Sequence, residues 1–143
     1  MTEPEILGVL WYVLRKQEEG VRAEALDRLL HLERSIECPF LLNSRCSVYA
    51  VRPLACRILH VFGAPCKPEE IPVQDRPGDI WTPSREVGLK AVTALLPYFG
   101  FTDAGDRLRA FNEGFVLSHS LQMREIQWEA LIRSLTGAGQ GQS

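Results

Sequence analysis

Residues 6–14, Ile-Leu-Gly-Val-Leu-Trp-Tyr-Val-Leu, decide the fold class of this 143-residue chain. Within this apolar run Ile6, Leu10 and Val13 recur three and four positions apart, which places them on one face of a helix. Acidic residues precede the run, and it falls well short of the roughly 18 apolar residues that a membrane span needs. We therefore expect a packing helix, with neither a secretory signal nor a membrane span.

Helical spacing of apolar residues continues along most of the chain. Further helices are predicted at three places: after Gly20, from the cap Thr82-Pro83 over about 16 residues towards Gly100, and between Leu108 and Leu135 with an interruption near Gly114 or Ser118. The β-like run at 47–49 is too short to imply a sheet. Core or interface packing is expected for the three tryptophans, Trp11, Trp81 and Trp128.

Length and composition predict one globular domain. The chain is 45% hydrophobic and 24% charged, which excludes wholesale disorder. The expected fold class is all-α, a small helical domain with an irregular, proline-rich, cysteine-bearing metal-binding insert. We place the single helical domain at 1–136, its metal-binding segment at 38–66 and a disordered tail at 137–143. The net charge of −2 gives no reason to expect nucleic acid as a partner.

All four cysteines lie within 29 residues, at positions 38, 46, 56 and 66. Between residues 34 and 67, five basic side chains accompany a single acidic one, so this segment carries +4 while the rest of the chain carries −6. Seven or nine residues separate successive cysteines, which is wider than the two-residue spacing of zinc ribbons and thioredoxin-like sites. Spacing alone therefore leaves metal ligation, free thiols and disulfides open.

The residues around the first three cysteines form a specific motif: Cys38-Pro39-Phe40-Leu41, Arg45-Cys46-Ser47-Val48-Tyr49 and Arg52-Pro53-Leu54-Ala55-Cys56-Arg57. This string resembles the CPxL…CxxY…RPxxCR run of the YkgJ-type domains, a family described as zinc- or iron-chelating. The resemblance implies that three cysteines are metal ligands with a supporting frame around them: Cys38, Cys46 and Cys56, framed by Arg52, Pro53 and Arg57. Members generally carry a further cysteine cluster upstream, which this chain lacks, and Cys66 is then expected as the fourth ligand.

The chemistry of the segment agrees with a metal. Four thiolates around zinc, or around an oxidised [4Fe-4S] cluster, leave a formal charge of about −2. Arg45, Arg52 and Arg57 stand close to cysteines in the sequence and can offset that charge by donating hydrogen bonds to sulfur. Arg52 and Arg57 could instead bind an anion at the start of a helix opened by Pro53. With four thiolate ligands no position remains for a hydrolytic water, so no catalytic residue is predicted.

Other side chains offer alternatives near the cysteines. His60, four residues after Cys56, would lie on the same face of a short helix and could replace Cys66 as the fourth ligand. The ring of Tyr49 is expected mainly to pack, rather than to form a hydrogen bond at the site. No chemistry is assigned to the two remaining histidines, which are expected at the surface or at helix ends: His31 and His119.

The leading hypothesis is a small cytoplasmic protein that binds zinc or a [4Fe-4S] cluster through its four cysteines, mainly for structure. A cytoplasmic location is expected because a reducing compartment keeps thiols available. A second hypothesis is an iron-sulfur redox or electron-transfer accessory protein. A third is a metal-free module that forms a homodimer or binds a protein partner.

Overall fold

The computed structural model describes residues 1–34, 37–58, 60–64, 70 and 72–137. Of these residues 66% are helical and 6% lie in strands, so the prediction of a mostly helical protein is confirmed. The chain divides into two compact units, Met1–Arg52 with Ser120–Ser143, and Pro53–His119. Each unit has its own hydrophobic cluster. The prediction of a single domain over 1–136 stays a prediction.

In chain order the described helices and strands are α1 (Glu3–Lys16), α2 (Glu19–Leu30), β1 (Leu41–Leu42), β2 (Arg45–Cys46), α3 (Leu54–Ile58), β3 (His60–Val61), α4 (Pro72–Asp75), β4 (Ile80–Trp81), α5 (Arg85–Leu95), α6 (Ala104–Asn112), α7 (Phe115–Ser118) and α8 (Trp128–Gly137). Short 3-10 helices lie at Leu32–Arg34, Tyr49–Val51, Pro77–Asp79, Leu96–Phe99 and Met123–Glu125. The strands form two antiparallel pairs, β1 with β2 and β3 with β4.

Helix α1 buries the predicted face. Its Ile6, Leu10 and Val13 are at most 4% exposed, and they join one cluster with residues of α2, the β1–β2 hairpin and α8. The helix starts at Thr2, whose backbone N–H and hydroxyl both donate to the carboxylate of Glu5, at 2.7 and 2.9 Å. This contact satisfies polar groups that the first turn would otherwise leave without partners.

The predicted break between the first two helices is real, but its predicted position was wrong. Gly20 lies inside the first turn of α2. The helix ends earlier because Gln17 and Glu18 adopt extended backbone conformations, and the Gln17 side-chain amide donates to the carbonyl of Ser47. A hydrogen bond to a distant residue therefore replaces the glycine as the cause of the break.

In the second unit, the helix that was expected to be capped at Thr82 is capped two residues later, at Ser84. The hydroxyl of Ser84 accepts the backbone N–H of Val87 at 3.4 Å, so that Ser84 is the cap. Helix α5 then continues through a 3-10 turn to Gly100, whose φ of 87° ends it as predicted. The core of this unit is small, and its buried residues are Leu96, Ala110 and Val116.

The long helix expected towards Leu135 is divided into three. Gly114, with a φ of 70°, separates α6 from α7, and α7 ends at Ser118, so that both predicted interruptions are present. Helix α8 starts afresh at Trp128, which is 4% exposed. The predicted tail lies outside the described residues, apart from Gly137, which belongs to α8.

Residues 47–49 form no strand, as expected, but four other dipeptides do. Of the three tryptophans, Trp128 packs in the core at 4% exposure, whereas Trp11 and Trp81 are 52% and 46% exposed, which leaves only interface packing for these two. In the part of the chain that the structure describes, every helix is too short or too polar to traverse a lipid bilayer.

Helix α6 depends on an ionised cap. One carboxylate oxygen of Asp103 accepts the backbone N–H groups of Gly105 and Asp106 at 2.7 and 3.2 Å. The hydrogen bonds from Asp106 and then Gly105 hold the pKa of Asp103 below its usual range. Because the folded pKa lies below the unfolded value of about 3.9, the stabilisation is complete above that pH and is lost as the pH falls through the folded pKa.

We therefore expect Asp103→Ala to lower the melting temperature clearly at pH 7 and progressively less as the pH falls through the folded pKa of Asp103, where the parent protein loses its charged cap. Asp103→Asn keeps an oxygen acceptor and should flatten this pH dependence. Thermal unfolding followed by circular dichroism over a series of pH values from 7 downwards measures both effects. A loss for Asp103→Ala that stays the same over the whole series would show that the carboxylate charge plays no part.

Candidate metal centre

A tight β-hairpin carries the second cysteine of the motif. Asn43 and Ser44 connect the two strands, with φ values of 49° and 60°. Both central residues of a type I′ two-residue turn need positive φ, which asparagine tolerates and serine rarely adopts. The turn holds Cys46 in a defined register, with Leu41 opposite Cys46 and Leu42 opposite Arg45.

Cys38 lies just before this hairpin, and its backbone carbonyl accepts the N–H of Leu41 at 3.0 Å. Burial raises the pKa of Cys38, the N–H of Phe40 lowers it, the nearby charge of Cys46 raises it, and the N–H of Leu41 lowers it; the net change is upward. The residue as a whole is nevertheless exposed. The thiol is thus partly buried in an otherwise exposed residue, and this burial is the main cause of the upward pKa shift.

The hairpin places Cys38 and Cys46 close together in the fold, because the Leu41 N–H donates to the Cys38 carbonyl at 3.0 Å and Leu41 pairs with Cys46. Neither of the two is in a disulfide. Cys46 is half-buried and packs against the core of the first unit. The hairpin therefore brings two of the four predicted ligands into the same part of the first unit.

Contacts from the preceding helices anchor this hairpin. Arg28 of α2 donates to the carbonyl of Leu41 at 3.0 Å, and the Gln17 amide reaches the carbonyl of Ser47. Phe40 and Val48, on either side of the hairpin, are 2% and 1% exposed. The roles of Arg28 and Gln17 were not predictable from the sequence, since a polar residue on an amphipathic helix gives no sign that it binds a distant backbone.

The third cysteine lies in the second unit. Cys56 is exposed on α3, and its backbone N–H donates to the carbonyl of Pro53 at 3.0 Å. The predicted short helix after Pro53 is therefore confirmed, although it spans only five residues. Cys66 lies outside the described residues. Among the residues that the structure does describe, no three His, Cys, Asp or Glu side chains are grouped closely enough to hold a metal ion.

The two framing arginines occupy different settings. The guanidinium of Arg52 lies 4.1 Å from the centre of the Tyr49 ring, so the expected packing role of Tyr49 takes the form of a cation–π contact. That ring is otherwise 64% exposed. Arg57 lies on α3 beside Cys56, and its carbonyl bonds a ring nitrogen of His60. The hydrogen bonds from Arg52 and Arg57 to sulfur stay a prediction.

His60 does not lie on the helix that carries Cys56, and this prediction was wrong. It belongs to strand β3, where it pairs with Trp81, and the two rings are 5.4 Å apart. Pairing with a strand 20 residues later requires extended backbone, which is incompatible with a continued helix. The Nε2 atom of His60 lies 2.8 Å from the carbonyl oxygen of Arg57. The helical spacing that suggested His60 as a ligand in place of Cys66 is therefore absent.

The other two histidines are placed as expected. His31 follows the last residue of α2, and its Nδ1 lies 2.8 Å from the carbonyl oxygen of Asp27. His119 follows α7 and stacks on Phe115 with ring centres 3.8 Å apart. Both act at helix ends, and neither is near a cysteine in the sequence.

Comparison with protein-family models, curated proteins and solved structures finds no match to this chain. The resemblance to YkgJ-type domains therefore stays a prediction that rests on the motif alone. The local geometry of Cys38 and Cys46 is the structural observation from which a function can be argued.

Proposed function

We propose that the chain binds a metal centre through thiolates, either one zinc ion or a [4Fe-4S] cluster, and that this centre mainly stabilises the protein's own structure. One observation carries the proposal: the β1–β2 hairpin brings Cys38 and Cys46 together, since the Leu41 N–H donates to the Cys38 carbonyl and Leu41 pairs with Cys46. Burial raises the pKa of the Cys38 thiol, and a bound metal ion would offset this because it stabilises the thiolate form.

The closeness of Cys38 and Cys46 favours binding of a cation between them. Two thiolates side by side repel each other, and a bound divalent ion or cluster converts that repulsion into attraction. The donors are soft, as zinc and iron-sulfur clusters prefer. The only acidic residue between positions 34 and 67 is Glu37, so oxygen ligands that would suit calcium or magnesium are scarce in this segment.

The other two ligands are proposed from the sequence. Cys56 and Cys66 complete a set of four thiolates, and Arg52 and Arg57 offset its charge. A complete set leaves no open position for water or substrate, which favours a structural centre over a hydrolytic one. A centre built on reduced thiols also suits a reducing compartment such as the cytoplasm.

A structural role follows from the size of the hairpin. Each of its strands has two residues, and an isolated hairpin is at best marginally stable in water. Binding a metal at Cys38 and Cys46 would hold its two ends together, since the free energy of metal binding becomes free energy of folding.

The test is a count of metal and acid-labile sulfide per chain in protein purified without oxygen and without added metal, together with its visible spectrum. One zinc per chain and no colour supports a structural zinc site. Four irons with matching sulfide and absorption near 400 nm also supports the thiolate centre and identifies a cluster capable of redox chemistry. One metal per two chains contradicts ligation by Cys56 and Cys66, and absence of metal in anaerobic protein overturns the proposal.

A further inference from the structure

Helix α1 has a second apolar face that its own unit covers only in part, where the ammonium of Lys16 lies 5.4 Å from the centre of the Trp11 ring. Leu7 and Trp11, one helical turn apart, are 48% and 52% exposed. They lie opposite the buried stripe of the same helix, which includes Val9 and Val13. A tryptophan and a leucine side by side on an exposed helix face are unusual in a monomer and typical of an interface.

The charges of α1 are self-complementary. Its first turn carries Glu3 and Glu5, and its last turn carries Arg15 and Lys16. Glu3 and Arg15 are exposed, and neither forms an ion pair with another residue in the described ranges. If two copies of α1 pack antiparallel, the acidic end of each lies alongside the basic end of the other. Parallel packing would place like charges together.

The position of Gly8 supports the same arrangement. A glycine inside a helix costs about 1 kcal/mol relative to alanine. Within the described structure no atom lies within 4 Å of where its Cβ would be, apart from its chain neighbours and the backbone of α1 itself. Packing inside the monomer therefore does not explain why a side chain is missing there. In an antiparallel pair related by a two-fold axis at the level of Val9, Leu7 of one copy meets Trp11 of the other, and Gly8 leaves room for that indole ring.

We propose that the chain forms a homodimer through an antiparallel pair of α1 helices, with Leu7 and Trp11 at its centre. A two-fold symmetric interface of this kind uses the same patch on both copies. A helix of 14 residues is about 21 Å long, so the interface is small and the dimer is weak and concentration-dependent. The proposal does not depend on metal binding.

Sedimentation equilibrium of the full chain from about 5 to 500 µM tests the dimer. We expect a monomer–dimer equilibrium whose Kd rises about 30-fold or more in Trp11→Ser, since an interface tryptophan often carries this much affinity. Leu117→Ser is the matched control, because Leu117 is 82% exposed on α7, and its Kd should stay within about twofold of the parent. A protein that remains monomeric at 500 µM, or a Trp11→Ser variant that dimerises normally, overturns the proposal.

Charge reversal tests the antiparallel direction separately. Glu3→Arg and Arg15→Glu should each weaken the dimer, and the variant with both reversals should recover most of the affinity, although it carries both unfavourable helix-end charges. Failure of the double variant to recover overturns the antiparallel arrangement. Gly8→Leu should weaken the dimer without lowering the melting temperature of the monomer, since the monomer has space at that position.

Discussion

Truncating Phe40 to alanine is expected to lower the free energy of unfolding of the first unit by about 3–5 kcal/mol. The ring is 2% exposed and belongs to the same cluster as Leu10 and Trp128, so its removal leaves a cavity at the base of the hairpin. The backbone of Phe40 stays in place, and its carbonyl accepts the N–H of Ser47 at 2.8 Å. The variant therefore tests core support rather than the backbone hydrogen bonds around Cys38.

The loss is measured by urea unfolding followed by the fluorescence of Trp128, in a background where Trp11 and Trp81 are phenylalanine. A lower urea concentration at the unfolding midpoint shows a loss of stability if the slope of the unfolding free energy against urea concentration stays the same. Leu41→Ala is the matched control, since Leu41 is the next residue and is 41% exposed; it should cost less than about 1 kcal/mol. Equal effects of the two substitutions would show that the hairpin is not anchored through its core side chain.

The helices of both units follow from local sequence, and their boundaries do not. The apolar spacing of α1 needs only short-range information, and it predicted three of the four buried residues, Ile6, Leu10 and Val13, but not Val9. The end of α1 depends on Gln17 reaching Ser47, 30 positions away. Likewise Ser84 and Thr82 are both good caps by composition, and only the surroundings of the helix select Ser84.

In the candidate site, too, local sequence predicted some features, and contacts between distant residues decided the others. The motif singled out Cys38 and Cys46 from their neighbours alone, but the hairpin that brings them together was missed. Its strands are only two residues long, and its turn reads Asn43-Ser44 instead of the Asn-Gly pair that marks a type I′ turn in sequence. His60 was wrongly predicted to lie on a helix, because its strand pairs with Trp81 and the spacing of nearby residues does not indicate such a distant partner.

Cys46→Ser is expected to abolish metal binding while leaving the metal-free fold largely intact. Serine has nearly the same size, and Cys46 is only half-buried, so the core loses little packing. A hydroxyl, however, is a poor ligand for zinc or iron compared with a thiolate. At a free metal concentration 1,000 times the Kd, binding stabilises a protein by about 4 kcal/mol. Removing metal with a chelator should therefore destabilise the parent by about this amount and leave Cys46→Ser unchanged.

The informative control is the adjacent residue. Ser47→Ala removes a hydroxyl that is buried and has no hydrogen-bond partner among the described residues, and it leaves both sulfurs in place. This variant should keep the metal content and chelator response of the parent, whereas Cys38→Ser should behave like Cys46→Ser. If the two cysteine variants retain metal at the parental stoichiometry, the paired sulfurs are structural thiols and the centre lies elsewhere. If chelation fails to destabilise the parent, any bound metal does not hold the hairpin together, and its stability comes from the core around Phe40 alone.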